Sequence, residues 1–155
     1  MRITLDTGIL VRTNVRATGP ARRLLGLILK GPHELVLSEF LLTETARALA
    51  YPRLQKLFKL TLEDIAEHVE LLRARSDLVS AAVYKPIVLT DPNDDPVVYT
   101  AVVGRANVLC ALDRDFYGET VVSFCRERGI EIMNDVALLQ RLETSEPDDV
   151  SARLR

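Results

Sequence analysis

The sequence predicts an α/β protein with a central, mostly parallel sheet. Short apolar segments rich in β-branched residues alternate with amphipathic helical segments, which is the pattern of a parallel sheet covered by helices. The 155 residues are 48% hydrophobic and 27% charged, a balance that excludes a disordered chain. The longest stretch without a charged residue, residues 96–104, is too short to span a membrane. One folded domain is expected over residues 1–143, followed by a flexible polar tail over residues 144–155.

Four short apolar segments are expected to form strands, because each is bounded by turn or capping residues. They cover residues 3–5, 35–37, 107–112 and 130–133. Residues 78–84 are expected to be extended as well, which gives a sheet of four to five strands. After the first strand, Thr7 and Gly8 predict a loop.

Helices are predicted between these strands from apolar residues at helical spacing and from capping signals. In the helix that begins at Thr61, Leu62 and Ile65 are placed on the apolar face and His68 on the exposed face. The predicted helices cover residues 20–30, Ser38 to about residue 50, the segment after the capping box of Thr61 and Asp64, residues 119–128, and Asn134 to about residue 142.

A further helix is predicted over residues 97–103, although their valine-rich composition has strand propensity. Asp95 and Pro96 precede this run, and they suit the N-cap and the first position of a helix. The apolar residues that follow indicate that this helix is buried. A polar turn over residues 91–95 leads into it.

Three acidic residues are expected to meet at one edge of the sheet. Asp6 follows the first strand, Asp113 follows the strand at residues 107–112, and Asp95 begins the apolar helix. The carboxyl ends of parallel strands share one edge, and ligands of such sheets bind there. Each acid also has a structural interpretation, as the cap of a turn or helix or as the end of a strand.

Glu44 is the fourth acidic candidate. Its neighbours one turn away include Phe40, Leu41 and Ala48, which place it on or beside the apolar face of its helix. A carboxylate there requires a partner, because burying an unpaired charge is costly. Two interpretations stay open from the sequence, an ion pair with Arg47 or a metal ligand.

Convergence of these acids predicts a bound cation. At a separation of about 5 Å and an effective dielectric of about 20, each ionised pair costs about 3 kcal/mol in repulsion, unless a cation or protons neutralise the charge. Oxygen ligands without histidine or cysteine select a hard cation such as Mg²⁺ or Mn²⁺. The two cysteines and two histidines match neither a disulfide framework nor a zinc site, and a cytoplasmic location is expected.

Arginines are concentrated near the N-terminus, although the net charge of the chain is only −2. Guanidinium groups bind phosphates in a bidentate manner, so this cluster is a candidate phosphate-contacting surface. A solvated surface is the other interpretation. The candidates are Arg12, Arg16, Arg22 and Arg23.

The order and spacing of these motifs resemble those of PIN-domain nucleases. Residues 5–11, Leu-Asp-Thr-Gly-Ile-Leu-Val, resemble the family's opening Asp-Thr-Asn-Val-Leu-Val, and residues 37–44 resemble the segment that carries its second acid. Residues 51–54, Tyr-Pro-Arg-Leu, are similar to the branch that contains toxins of toxin–antitoxin pairs. Residues 91–96, Asp-Pro-Asn-Asp-Asp-Pro, resemble that branch's Asp-Pro-Asp-Asp-Asp-Pro, and residues 111–116, Ala-Leu-Asp-Arg-Asp-Phe, resemble its Thr-Gly-Asp-Lys-Asp-Leu.

The resemblance extends over about residues 2–133 and implies a three-layer α/β/α PIN fold. It implies a Mg²⁺- or Mn²⁺-dependent endoribonuclease that hydrolyses RNA phosphodiester bonds, and it implies a toxin role with a protein antitoxin and a homodimer as partners. The arginine cluster would then contact RNA. Carried over residue by residue, the metal-binding and catalytic acids are Asp6, Glu44, Asp95 and Asp113, with Asp94, Asp115 and Thr7 as helpers.

The sequence departs from the family pattern near two of the acids. Gly8 stands where asparagine is usual, Ala111 stands where threonine is usual, and Leu112 replaces a glycine. These changes leave the acids intact but remove a polar group, so the alternative is a catalytically weak or inactive PIN domain that binds RNA or a protein. An aspartic protease, which shares Asp-Thr-Gly, is disfavoured because its site pairs two aspartates on an all-β fold.

Overall fold

The structure is a computed structural model that describes residues 1–145 and contains one five-stranded sheet. The strand order is β3-β2-β1-β4-β5, and every neighbouring pair is parallel. Ile3 lies opposite Leu35 on one side and opposite Val108 on the other. The predicted α/β fold with a parallel sheet is therefore confirmed. The strands are β1 (Arg2–Leu5), β2 (Glu34–Leu37), β3 (Ser76–Leu78), β4 (Val108–Cys110) and β5 (Glu131–Met133).

Eight α-helices in the described part of the chain complete a three-layer α/β/α arrangement. Two 3-10 turns, Pro92–Asp94 and Arg114–Tyr117, precede α6 and α7. Among residues 1–145, no helix combines the length and apolar character that crossing a membrane requires. The helices are α1 (Thr7–Val11), α2 (Pro20–Lys30), α3 (Glu39–Leu49), α4 (Pro52–Phe58), α5 (Leu62–Arg75), α6 (Asp95–Val103), α7 (Glu119–Arg126) and α8 (Asp135–Ser145).

The central strands are buried on both faces, which explains why their sequences are apolar at consecutive positions. Leu5, Val36 and Leu109 are fully buried. Helix α6 ends so close to β2 that a Cβ added to Gly104 would lie 2.1 Å from Val36 Cγ1. This close approach fixes α6, and with it the residues at its beginning, against the sheet.

Helix α1 replaces the loop that Thr7 and Gly8 predict. Asp6 has extended backbone geometry, and its Oδ1 accepts a hydrogen bond of 2.8 Å from the Ile9 amide. This is an N-cap, and it starts a helix immediately after β1. The prediction of a loop was wrong because the capping role of Asp6 outweighs the turn preference of Gly8. Helix α4, which begins at Pro52, was not predicted either.

Helix α5 confirms its capping box and corrects two side-chain placements. Thr61 Oγ1 accepts from the Asp64 amide at 3.0 Å, and Asp64 Oδ2 accepts from the Thr61 amide at 2.9 Å. Leu62 is 71% exposed, because the first helical position precedes the packed face. His68, expected on the exposed side, is 1% exposed, and its Nε2 lies 3.1 Å from Thr13 Oγ1 in the core.

Other segments also differ from their predicted extents: the strand predicted over residues 107–112 covers only Val108–Cys110, and the helix predicted over residues 119–128 ends at Arg126. Strand β3 begins directly after α5, and residues 79–91 lack regular structure where an extended segment was expected over residues 78–84. Helix α8 is capped as predicted, since Asn134 Oδ1 accepts from the Ala137 amide at 2.8 Å. It continues through Ser145, so the first two residues of the predicted tail are helical. The remaining part, residues 146–155, lies outside the described residues.

Candidate active site

The sheet has one topological switch point, between β1 and β4. The chain leaves β1 towards β2 on one side, whereas β4 pairs with the other side of β1. The connections from these two strands therefore diverge at their carboxyl ends and leave a crevice, which is where open α/β sheets bind ligands. Asp6 follows β1 and Asp113 lies three residues after the end of β4.

A cleft of about 410 Å³ occupies this switch point. Three carboxylate residues line it, Asp6, Asp94 and Asp113, and they come from three separate segments of the chain. The remaining lining residues are Thr7, Gly8, Arg12, Leu112 and Phe116. The fold thus brings two of the four main predicted acids and two predicted helpers, Thr7 and Asp94, into one cleft.

Asp6 is the deepest carboxyl group of the cleft, with 4% of the residue exposed. Burial, with a smaller contribution from the negative charge of Asp113, raises the pKa of this carboxyl from 3.8 to about 6. The Ile9 and Leu112 amides and the Arg12 guanidinium act in the opposite direction, but they do not compensate for burial. Ionised Asp6 therefore lacks sufficient stabilisation from the described residues, and a cation in the cleft would supply it.

Asp94 carries the clearest sign of a missing partner. Its Oδ2 is buried and has no hydrogen-bond partner among the described residues. Burial, followed by the negative charges of Asp91, Asp113, Asp6 and Asp115, raises the pKa of this carboxyl from 3.8 to about 7. An orphaned carboxylate oxygen that faces several other acids is a suitable ligand for a hard cation.

A second group of acids adjoins the cleft and shares Asp94. One carboxylate oxygen each from Asp91, Asp94 and Asp115 lie within 4.8 Å of one another. Asp115 Oδ1 also accepts a hydrogen bond of 2.7 Å from Thr90 Oγ1, and the Asp115 amide donates to Asp113 Oδ1 at 3.0 Å. The Thr90 contact ties the end of the irregular segment at residues 79–91 to the site.

Asp95 lies at the start of α6 but is not its N-cap, which is Asp94. The Asp95 residue is 3% exposed, and its Oδ1 accepts hydrogen bonds from the Ile87 and Val88 amides at 2.9 and 2.7 Å. One Asp95 oxygen is therefore used to fix the irregular segment against α6. Among the described residues the cleft is lined by Asp94 and not by Asp95; the metal role of Asp95 stays a prediction.

Glu44 forms an ion pair with Arg47 one turn further along α3. The Glu44 side chain is 28% exposed and that of Arg47 is 63% exposed. This is one of the two interpretations that the sequence leaves open. Glu44 is not among the residues that line the cleft in the described range, and its metal role also stays a prediction.

The three departures from the family pattern lie around the acids of the cleft. A Cβ at Gly8 would lie 3.6 Å from Asp6 Oδ1, so glycine leaves the space beside that carboxyl open. The Ala111 side chain is fully buried, and its carbonyl accepts a hydrogen bond of 2.6 Å from the Tyr117 hydroxyl. Leu112 itself lines the cleft.

The four predicted phosphate-binding arginines are in different environments. Arg22 Nη1 donates to the Thr13 carbonyl at 2.7 Å, and Arg23 forms an ion pair with Glu143 on α8. Arg16 is exposed and lies outside the lining of the cleft. Only Arg12, among these four, lines the acidic cleft.

The chain belongs to the PIN domain family, because a family model described as PIN domain matches residues 2–115. The match includes β1, the switch point and all the acids of the cleft. Domains of this family are generally nucleases and typically use divalent metals. A search among curated proteins found no match for this chain.

Sequence reasoning did not identify Asp91 as a site residue. It was assigned only to a polar turn, and the structure places its carboxylate with those of Asp94 and Asp115. The run Asp-Pro-Asn-Asp-Asp-Pro at residues 91–96 was the available signal, since four acids or amides within it offer oxygen ligands. Sequence alone does not say which of them face the cleft.

Proposed function

We propose that this PIN domain is a metal-dependent endoribonuclease that hydrolyses RNA phosphodiester bonds at the switch-point cleft. The main support for the proposal is that three carboxylate residues from three separate segments line one cleft, namely Asp6, Asp94 and Asp113. Their mutual repulsion is costly without a cation between them. Such a cluster is therefore better suited to binding a cation than to stabilising the fold.

The donor set fits Mg²⁺ or Mn²⁺. The cleft offers carboxylate oxygens and neither histidine nor cysteine, and hard divalent cations prefer such ligands. The buried Asp94 Oδ2, which lacks a partner among the described residues, supplies the independent sign that a ligand is expected there. Asp6, Asp94 and Asp113 would hold the ion, with Asp91 and Asp115 next to them.

When bound, a divalent cation supplies Lewis-acid chemistry that activates water and screens the charge of a phosphate. The protein's own residues contribute position and environment. The amides of Ile9 and Leu112 fix the Asp6 carboxyl, and the hydrogen bonds of Asp95 to Ile87 and Val88 fix the start of α6 and so the position of Asp94. Asp95 therefore has a positioning role in this proposal, and Asp94 takes the place in the cleft.

A cleavage assay on a mixture of single-stranded and hairpin RNAs, with Mg²⁺, Mn²⁺ or EDTA, tests the proposal. We expect cleavage with metal and none with EDTA. Asp6→Asn and Asp94→Asn should each reduce the rate by about a hundredfold or more, because loss of a metal-site group costs at least as much as loss of its supporting contacts. Asp135→Asn is the matched control, since Asp135 is equally buried but follows β5 outside the cleft. Folded wild-type protein that cuts none of the RNAs with either metal would contradict the nuclease assignment.

A binding module without nuclease activity is the second candidate, and the ion pair of Glu44 with Arg47 favours it. In that case Glu44 is neutralised by Arg47 instead of serving the cleft. Calorimetry with Mn²⁺ distinguishes the two candidates independently of RNA cleavage. Binding of Mn²⁺ that is lost in Asp94→Asn supports the nuclease, whereas no Mn²⁺ binding by the wild-type protein supports the binding module.

We also propose a toxin role, with a protein antitoxin that covers the cleft and a homodimer as the active assembly. The proposal is supported by the resemblance of residues 51–54 and 91–96 to the toxin branch of the family. Induced expression should arrest growth for the wild-type protein and not for Asp6→Asn. Light scattering of the purified protein measures the homodimer directly, and a monomer at all concentrations would contradict that part.

A further inference from the structure

Arg12 differs from the other candidate arginines because it is a cation inside an otherwise acidic cleft. It follows the last residue of α1 and lines the same cleft as Asp6, Asp94 and Asp113. Its charge lowers the pKa of Asp6, which indicates that the two groups are close enough to interact. The residue is nevertheless exposed to solvent.

The Arg12 guanidinium makes no hydrogen bond and no ion pair with residues 1–145, although its charge acts on Asp6. It forms no ion pair with the cleft carboxylates and donates no side-chain hydrogen bond there, unlike Arg22 and Arg23, which are both engaged. Where an arginine only stabilises an acidic cluster, a direct ion pair with a carboxylate is expected. Arg12 stands beside the acids without pairing with them, so space remains between its guanidinium and the carboxylates.

We propose that Arg12 forms a phosphate-binding subsite of the cleft and contacts one phosphate of the RNA strand next to the cation held by the acids. This inference rests on the proposed function and deepens it, because it assigns the substrate backbone to a particular side chain. A guanidinium presents its donors in a planar fork that matches phosphate oxygens. The ionised acids repel a phosphate, whereas Arg12, which lines the same cleft, attracts it.

In this proposal one arginine inside the cleft is enough to position the bound RNA strand relative to the acids. A phosphate in the cleft would contact both Arg12 and the bound cation, whereas Arg16 and Arg23 lie outside the cleft lining and contribute only long-range attraction. Phosphate contacts of this kind position the strand without reading its bases. The subsite therefore predicts tolerance of base sequence at the bound nucleotide.

The experiment measures binding of a fluorescent ten-residue oligouridylate at a fixed concentration of Ca²⁺, a hard cation that carboxylate oxygens also bind, and at several salt concentrations, for wild type, Arg12→Gln and Arg12→Lys. Each phosphate contact to a single strand contributes about 0.7 to the slope of log affinity against log salt. We expect Arg12→Gln to lower the slope by about 0.7 and to weaken binding about tenfold at low salt, as expected for loss of one charge-assisted hydrogen bond. Arg12→Lys should keep the slope, because it keeps the charge.

Arg105→Gln is the matched control, since it removes the same charge at the opposite, amino-terminal edge of the sheet, between α6 and β4. An unchanged slope in Arg12→Gln, an equal change in Arg105→Gln, or no measurable binding by the wild type would each overturn the subsite. Gel electrophoresis after each titration shows whether the oligonucleotide stays intact, so the binding result does not depend on cleavage. A slope change with no Mn²⁺-dependent cutting would keep the subsite and reject the nuclease, and cutting with an unchanged slope would do the reverse.

Discussion

Replacing Asp6 by asparagine is expected to stabilise the metal-free protein, although the same change removes its proposed activity. Burial holds the pKa of Asp6 at about 6, against an ordinary value of 3.8. The difference of about 2 units, at about 1.4 kcal/mol per unit, corresponds to about 3 kcal/mol. Because the folded pKa is raised, this cost grows as the pH rises from 3.8 to about 6 and is fully present above 6.

The Asp6→Asn variant keeps a side-chain acceptor for the Ile9 amide and loses the buried charge. Since the amide is itself partly desolvated, we expect a net gain of about 2 kcal/mol in EDTA at pH 8, which is about 4–8 °C in melting temperature. The gain should vanish near pH 4. With Mn²⁺ the order should reverse, because a ligand at about a hundred times its dissociation constant stabilises the wild type by about 2.7 kcal/mol.

Thermal melts at pH 4, 6 and 8, each with EDTA and with Mn²⁺, measure both effects. Asp135→Asn, a buried acid outside the cleft, should show no reversal with metal. Destabilisation of Asp6→Asn in EDTA at pH 8, or a difference that does not change between pH 4 and pH 8, would refute the reasoning.

Three further expectations concern other parts of the molecule. Burial lowers the pKa of His68 to about 4. The stability that the buried neutral imidazole contributes is therefore present above about pH 6.5 and is lost as the pH falls through 4. An NMR titration should show the His68 ring resonances shifting near pH 4. Gly104→Ala should cost about 1–3 kcal/mol in urea unfolding, because the new methyl group meets Val36. Arg47→Gln should change the free energy of unfolding by less than about 0.5 kcal/mol. It should also tighten Mn²⁺ binding measured by calorimetry, because Glu44 is then free to join the acids. Unchanged affinity for Mn²⁺ would exclude Glu44 from the site.

Features that depend on residues close in sequence were predictable. The capping box of Thr61 and Asp64 and the cap at Asn134 need only neighbouring backbone groups, and both are present as predicted. The parallel sheet follows from the alternation of apolar segments and helices. The prediction of a parallel sheet also correctly places Asp6 and Asp113 at the edge formed by the carboxyl ends of the strands.

Features that depend on tertiary contacts were not predictable. The direction of His68 depends on Thr13, which comes 55 residues earlier. The choice between Asp94 and Asp95 depends on the amides of Ile87 and Val88, which lie in a segment without a regular pattern. Adjacent residues at a helix start point in different directions, so a one-residue difference in the helix boundary changes which carboxylate faces the cleft.

The two hydrogen bonds of Asp95 have a consequence for the motions of the molecule. Residues 79–91 have no helix or strand of their own, and such segments usually exchange their amide hydrogens quickly. The amides of Ile87 and Val88 are buried and bonded to Asp95, so they should exchange as slowly as amides inside α6. Any opening that exposes them must also release the start of α6, and the rate of their exchange therefore reports how often Asp94 leaves its place in the cleft.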